Sequence, residues 1–324
     1  MVKIELEPDK KDKRVLFELE QDSRQPLQKI AKAVGLSKEA VFHRIKNLEK
    51  DGIIKKYITE VDIYRLGFQY FPILLKFQNS TAIIENEIID YLKKNKYVAW
   101  LASCEGNWDI NLTILAKSNY DLNLFLNEFQ RKFSEYIAGK QIFITSEIHY
   151  FKRGFWLDKP TTQTISASGE KSIEFGDIDL ELLKIISEHS RMPLVEIAER
   201  LNLSPKTVAY KIKNLEKQKV IQGSRILVDF SKLGYKYYKV WLNFNNTDEN
   251  NWKKMYSYFK LNSNIIWATK LIGVYDLSIE MEVKDIDELR KIIKEIKEQF
   301  SSLIKNHESL LIFEEVVLNY LPRV

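Results

Sequence analysis

Two groups of residues in this 324-residue chain have types and spacing that could do chemistry. The first is a set of cations on amphipathic stretches. From Lys206 to Arg225 six basic residues (Lys206, Lys211, Lys213, Lys217, Lys219, Arg225) stand against one acid, Glu216. That imbalance suits neutralisation of the phosphates of double-stranded DNA, which releases condensed counterions. Opposite its apolar positions this stretch presents Lys206, Tyr210, Lys213, Asn214 and Lys217, with Lys211 on the flank. An earlier stretch presents Glu39, His43, Lys46, Asn47 and Lys50 opposite Val41, Ile45 and Leu48, flanked by Lys38 and Arg44. Cations there would hold the phosphate backbone, while His43, Thr207 and Tyr210 could reach base edges. The plainer alternatives are a solvated basic face, or a three-helix unit that serves only to dimerise.

The second group is a short turn written twice, Gly106-Asn107-Trp108-Asp109 and Gly273-Val274-Tyr275-Asp276. Glycine lets a ligand approach the backbone closely, and an aspartate beside free amides could hold the ammonium of a small amino acid. Equally, a turn aspartate can bond its own backbone and make a hairpin with no ligand. Gly106, Asn107, Trp108, Asp109, Gly273, Tyr275 and Asp276 are therefore the effector candidates.

Both groups recur because the chain is one sequence written twice. Laying Asp12 over Asp179 gives an offset of 167 residues (179 − 12) that runs without a gap almost to the C-terminus. Ser23-Arg24 falls on Ser190-Arg191, Leu66-Gly67 on Leu233-Gly234, and Trp100 on Trp267. Ile45-Lys46-Asn47-Leu48-Glu49-Lys50 is repeated letter for letter from Ile212 to Lys217. Units this long are domain-sized modules rather than solenoid repeats. The expectation is an intrachain pseudo-dimer.

The elements that must position these residues follow from periodicity. Asp12 to Lys56 reads as three short helices, the third opening at Ser37, whose hydroxyl can accept an orphan amide, and ending at Gly52. In the second copy Ser204 is the N-cap and Pro205 the first helical residue. Lys219 replaces the second glycine there, which suggests a different helix end. Arg24 and Arg191 precede the second helix, with capping by the adjacent serines and a phosphate contact as their expected roles. The rest of each copy reads strand (Tyr70 to Phe77), helix (Ala82 to Lys94), two strands (Val98 to Ser103, Asp109 to Leu115), a helix carrying Leu122 to Phe133, and a strand from Gln141 to Tyr150. That is the ferredoxin-like pattern. The expected fold is α+β: helix-turn-helix units at 1–60 and 175–227, ferredoxin-like units at 68–157 and 235–324, and an aperiodic linker at 158–174.

Composition narrows the class. Hydrophobic residues make up 45% and charged residues 29%, with a net charge of +5. A single cysteine, Cys104, excludes a disulfide framework and a cysteine metal cluster. No apolar run has the length of a membrane span, and the charged start is no signal peptide, so a cytoplasmic protein without cofactor is expected.

Taken together, Asp12, Ser23-Arg24, Ile30-Ala31, Gly35-Leu36-Ser37, Val41, Arg44-Ile45, Leu48-Glu49, Gly52-Ile53-Ile54, Leu66-Gly67 and Gly106-x-x-Asp109 resemble the Lrp/AsnC (feast/famine) family of transcription regulators. The resemblance covers nearly the whole chain. It implies pairing through ferredoxin-like sheets, higher homo-oligomers in many members, and amino-acid effectors near the Gly-x-x-Asp turn. Siroheme decarboxylases are similar in architecture and offer the enzyme alternative. Their acidic tetrapyrrole would call for histidine and basic side chains in a pocket. Of His43, His149, His189 and His307 none has a counterpart in the other copy, and the strands from Trp100 to Thr113 carry neither His nor Arg. A protein-interaction adaptor that has lost DNA binding is the third reading. The favoured expectation is a DNA-binding regulator. Its groove-facing residues differ between copies, Phe42-His43-Arg44 against Ala209-Tyr210-Lys211, so its operator should have unlike half-sites.

Overall fold

The first helix begins where Asp9 accepts the amides of Lys11 and Asp12, both at 2.7 Å, in a computed structural model that describes residues 6–157, 164–168, 172–245, 248–318 and 321. This is α1 (Lys10–Gln21), followed by α2 (Leu27–Val34) and α3 (Lys38–Lys50), the last capped by Ser37 Oγ on the Ala40 amide at 3.1 Å. After β1 (Ile54–Val61) come β2 (Gln69–Phe77), α4 (Ala82–Lys94), β3 (Val98–Glu105), β4 (Ile110–Ala116), α5 (Asn119–Phe133), β5 (Ile137–Ile142) and β6 (Ile144–Phe151). The second copy repeats the plan after β7 (Thr164–Ser168): α6 (Asp177–Glu188), α7 (Leu194–Leu201), α8 (Pro205–Lys217), β8 (Ile221–Val228), β9 (Lys236–Phe244), α9 (Glu249–Leu261), β10 (Ile265–Ile272), β11 (Leu277–Val283), α10 (Ile286–Gln299) and β12 (Ile304–Leu318).

Two local expectations change. Lys219 adopts a left-handed φ of 57°, as Gly52 does at 67°. Both helices close with the same reverse bond, Ile53 N to Leu48 O and Val220 N to Leu215 O at 2.9 Å each. The helix end is therefore shared, and packing of Val220 overrides the steric cost of a non-glycine residue there, about 1–2 kcal/mol. The stretch read as an aperiodic linker contains a strand, β7, paired antiparallel with the free edge of β6. An edge strand supplies unpaired backbone groups that a five-residue segment can satisfy without apolar alternation. Residues 158–163 and 169–171 lie outside the described residues.

The copies exchange strands about a pseudo-twofold axis. Ile58 on β1 faces Arg225 on β8, and these are equivalent positions of the repeat. The hydroxyls of the equivalent Ser23 and Ser190 meet at 2.8 Å, and each serine amide bonds the other copy's strand, at Ser224 O and Tyr57 O. The core of the first helix unit contains Ile226, Val228 and Leu233 from the second copy. The core of the second contains Val61, Ile63 and Leu66 from the first. Neither three-helix unit closes its core alone.

The ferredoxin-like units merge in one sheet, in the order β5-β2-β4-β3-β12-β9-β11-β10-β6-β7. The expected last strand of copy one breaks at the buried Phe143: β5 pairs with β2 of its own copy, and β6 pairs with β10 of the other. Likewise β12 pairs first with β9 and then with β3.

Candidate nucleic-acid interface and inter-copy turns

The faces of α3 and α8 divide by burial as their spacing predicts. Val41, Ile45 and Leu48, and Val208, Ile212 and Leu215, are buried. Lys38, His43, Lys46 and Asn47 on α3, and Lys206, Tyr210, Lys213 and Asn214 on α8, are exposed, Tyr210 by 71%. Ser37 and Ser204 act as N-caps, the latter also bonding Thr207 Oγ1 at 2.7 Å, which leaves Thr207 half-buried.

Several residues expected at phosphates make contacts within the protein. Arg44 Nη1 bridges Asp9 and Asp12, both at 2.7 Å, and its equivalent Lys211 holds Asp179 at 2.9 Å. These ties pin the third helix to the first in each copy. The pairs Asp12–Arg44 and Asp179–Lys211 were available in the repeat, but not their proximity. Arg225 is only 2% exposed and pairs with Glu60, so it leaves the basic face altogether. Arg191 lies over the Tyr57 ring, 5.3 Å from its centroid, and Arg24 is half-buried. The serines beside them sit on the pseudo-dyad rather than capping α2 and α7, whose caps are Pro26 and Pro193.

The two Gly-x-x-Asp turns have the geometry of the hairpin reading. Asp109 accepts the Phe77 amide at 2.6 Å and Lys76 Nζ at 3.0 Å, and Asp276 accepts the equivalent Phe244 amide at 2.8 Å. Trp108 is half-buried. Asn107 and Tyr275 reach the other copy, at Glu308 and Phe143. Asn107 and Tyr275 both donate to Glu308, and Tyr275 stacks between Phe143 and Trp241 in a buried cluster. A Cβ on Gly106 would stand 3.1 Å from Leu310, and one on Gly273 2.7 Å from Phe143. Leu310 and Phe143 are themselves equivalent, so each glycine answers both to its positive φ, 137° at Gly106 and 156° at Gly273, and to the other copy's strand. Gly273→Ala is expected to cost about 1–3 kcal/mol by overpacking, beside the strain of an alanine at φ 156°, read as a fall in the thermal midpoint. An unchanged midpoint would mean that the turn and Phe143 both yield freely.

Charged residues that the periodicity did not single out converge beneath the helix units. Arg153 donates to both oxygens of Glu282, at 2.8 and 3.0 Å, and to Tyr150 and Glu20. Glu280 holds Lys239 at 2.9 Å. The one signal for them is asymmetry of the repeat: Arg225, Lys239, Glu280 and Glu282 stand where copy one has Ile58, Pro72, Thr113 and Leu115. Among the described residues no cluster of three or more His, Cys, Asp or Glu could hold a metal ion, and no helix is long and apolar enough to cross a membrane.

A family model described as winged helix-turn-helix DNA-binding matches residues 8–55 and 176–222, the helix units of both copies. The HTH-type transcriptional regulator LrpA of Pyrococcus abyssi is 33% identical over 114 residues, covering 35% of this chain and 79% of that protein. The regulator FL11 of Pyrococcus horikoshii is 29% identical over 119 residues, or 37% and 78% of the two chains. Over the full length the fold is similar to a crystal structure of the siroheme decarboxylase NirDL, with a TM-score of 0.63, 13% identity and coverage of 95% and 93%. At that identity the likeness is one of fold alone, and the relatives found by sequence are regulators. With two family units on one polypeptide, the chain belongs to the Lrp/AsnC family of transcription regulators.

Proposed function

We propose that the chain is a sequence-specific DNA-binding regulator that does the work of a dimer, with α3 and α8 entering successive major-groove segments about one helical turn apart. The observation that carries this reading is the pair of exposed polar faces, related by the pseudo-dyad and backed by closed cores. On α8 the exposed cations are Lys206, Lys213 and Lys217; on α3 they are Lys38, Lys46 and Lys50. These hold phosphates. His43 and Tyr210 occupy one equivalent position and read different bases, so the operator has two unlike half-sites. A small organic effector, an amino acid or a related metabolite, shifts affinity through the joints between the copies.

Selection of bound duplexes from a random pool, with and without the twenty amino acids, tests this. The expected consensus is asymmetric, and it changes on one side only when Tyr210 is replaced by Ala. A palindromic consensus bound by one chain, or retention insensitive to salt, overturns the reading.

A further inference from the structure

Between the β1–β8 ribbon and the ten-stranded sheet lies a chamber of about 770 Å³, the size of sites that take one metabolite-sized molecule. Its walls are unlike. Pro72, Thr113 and Ile148 line it from the strands of copy one, while the equivalent Lys239, Glu280 and Glu315 line it from copy two. At these three sheet positions the pseudo-dyad therefore relates uncharged residues to charged ones.

Seven carboxylates and five cations line the chamber, but Asp62 pairs with Arg65 outside it, and Glu314 and Lys236 are exposed to solvent. Five carboxylates and four cations then remain. Arg153, Arg225, Lys239 and Lys55 each have a carboxylate partner, in Glu282, Glu60, Glu280 and Asp229. Glu315 accepts a hydrogen bond from the Trp100 indole at 2.8 Å, and its neighbours Arg225, Lys55 and Arg153 are shared with those other acids. Burial raises the Glu315 pKa, the mark of a carboxylate short of countercharge. On the opposite wall Thr145, 3% exposed, has a hydroxyl with no hydrogen-bond partner in the protein. Buried polar groups are normally satisfied, so an unpartnered hydroxyl on a chamber wall points to something that fills the space.

We propose that this chamber binds one organic cation per chain, an aromatic or otherwise apolar amine or amidine. Its charged end sits at the Glu315 carboxylate and its body lies along Pro72, Ile148 and the Trp100 ring. An anion would stand against the Glu315 carboxylate, which has no ion pair among the described residues, and a neutral ligand would leave it uncompensated at the cost of its hydration. Occupancy is felt by the helix units, because Arg225 and Arg153 on the same walls tie to Glu60 on β1 and to Glu20 on α1. Its role as the effector rests on the DNA-binding reading above; the site itself does not.

The test uses the full chain without DNA, so that its outcome is separate from operator binding. Two planar xanthene dyes of opposite charge, rhodamine 6G and fluorescein, are titrated by fluorescence anisotropy. Rhodamine 6G is expected to bind saturably, one per chain, and at least roughly tenfold more tightly than fluorescein. Glu315→Gln should weaken rhodamine 6G by roughly tenfold or more, Thr113→Trp should abolish its binding by filling the space, and Glu87→Gln on the exposed face of α4 should change nothing. Equal or tighter binding of fluorescein by the unmodified chain overturns the proposal and assigns the chamber to anions. Rhodamine binding that survives both chamber variants, each checked for folding by circular dichroism, places the dye elsewhere and also overturns it. If neither variant folds, the dye selectivity of the unmodified chain decides alone.

Discussion

Replacing Arg153 with methionine is expected to destabilise the protein by about 3–5 kcal/mol, the usual result of removing one partner from a buried ion network. Arg153 is 5% exposed, and the carboxylates it joins, Glu20 on α1 and Glu282 on β11, are 0% and 1% exposed. Methionine keeps much of the stem and its packing on Phe230, whose ring centroid lies 4.3 Å from the guanidinium. What it removes is the countercharge to two carboxylates that cannot reach water. The expected readout is a fall of roughly 6–20 °C in the thermal midpoint at neutral pH, taking about 2–4 °C per kcal/mol.

The sign of the pH dependence follows from the same geometry. Burial already holds the Glu282 pKa above the ordinary carboxylate value, with Arg153 opposing that rise. Without Arg153 the folded-state pKa climbs further, so folding takes up protons that the unfolded chain binds only at lower pH. The deficit of the variant is therefore full above the raised pKa and shrinks as pH falls towards the unfolded value. Adding Glu282→Gln should recover part of the loss at neutral pH. A variant as stable as the parent at neutral pH would show that the network is solvated.

Removing three exposed cations of α8 together, Lys206, Lys213 and Lys217 to Ala, is the second large effect. Each phosphate contact adds about 0.9 to the slope of log affinity against log salt, so the triple variant should lose roughly 2–3 from that slope. Its affinity at low salt should drop by roughly one to two orders of magnitude while the selected consensus stays the same. Lys211→Met is the contrast. Its ammonium is spent on Asp179, so it should lower the stability of the second helix unit and leave the salt slope unchanged. A slope that falls equally in both would place Lys211 on the DNA after all.

These contrasts show where legibility stopped. The exposed set on each third helix could be read because helical periodicity separates a buried face from a solvated one without reference to the rest of the chain. Arg44 and Lys211 share that polar spacing, and Arg191 precedes the second helix, yet all three make contacts within the protein. A long cation at the flank of a helix can turn outward to phosphate or inward to a neighbouring acid or ring, and that choice depends on what folds beside it. Arg225 was further out of reach, since its partner Glu60 is 165 residues away.

The Gly-x-x-Asp turns mark the same boundary. The glycine and the aspartate were correctly located on a strand-to-strand turn, and the hairpin role of the aspartate was one of two local alternatives. That each glycine must admit the other copy's Leu310 or Phe143 is a fact about docking.

The duplication, the helix caps and the strand-helix alternation were set by the chain alone, because caps and amphipathic faces are decided within a few neighbouring residues. The exchange of strands across the pseudo-dyad, the buried Glu20–Arg153–Glu282 network and the unequal walls of the chamber were decided only by tertiary packing. There, two nearly equivalent halves meet around one axis, and a charge placed on one side finds its partner on the other.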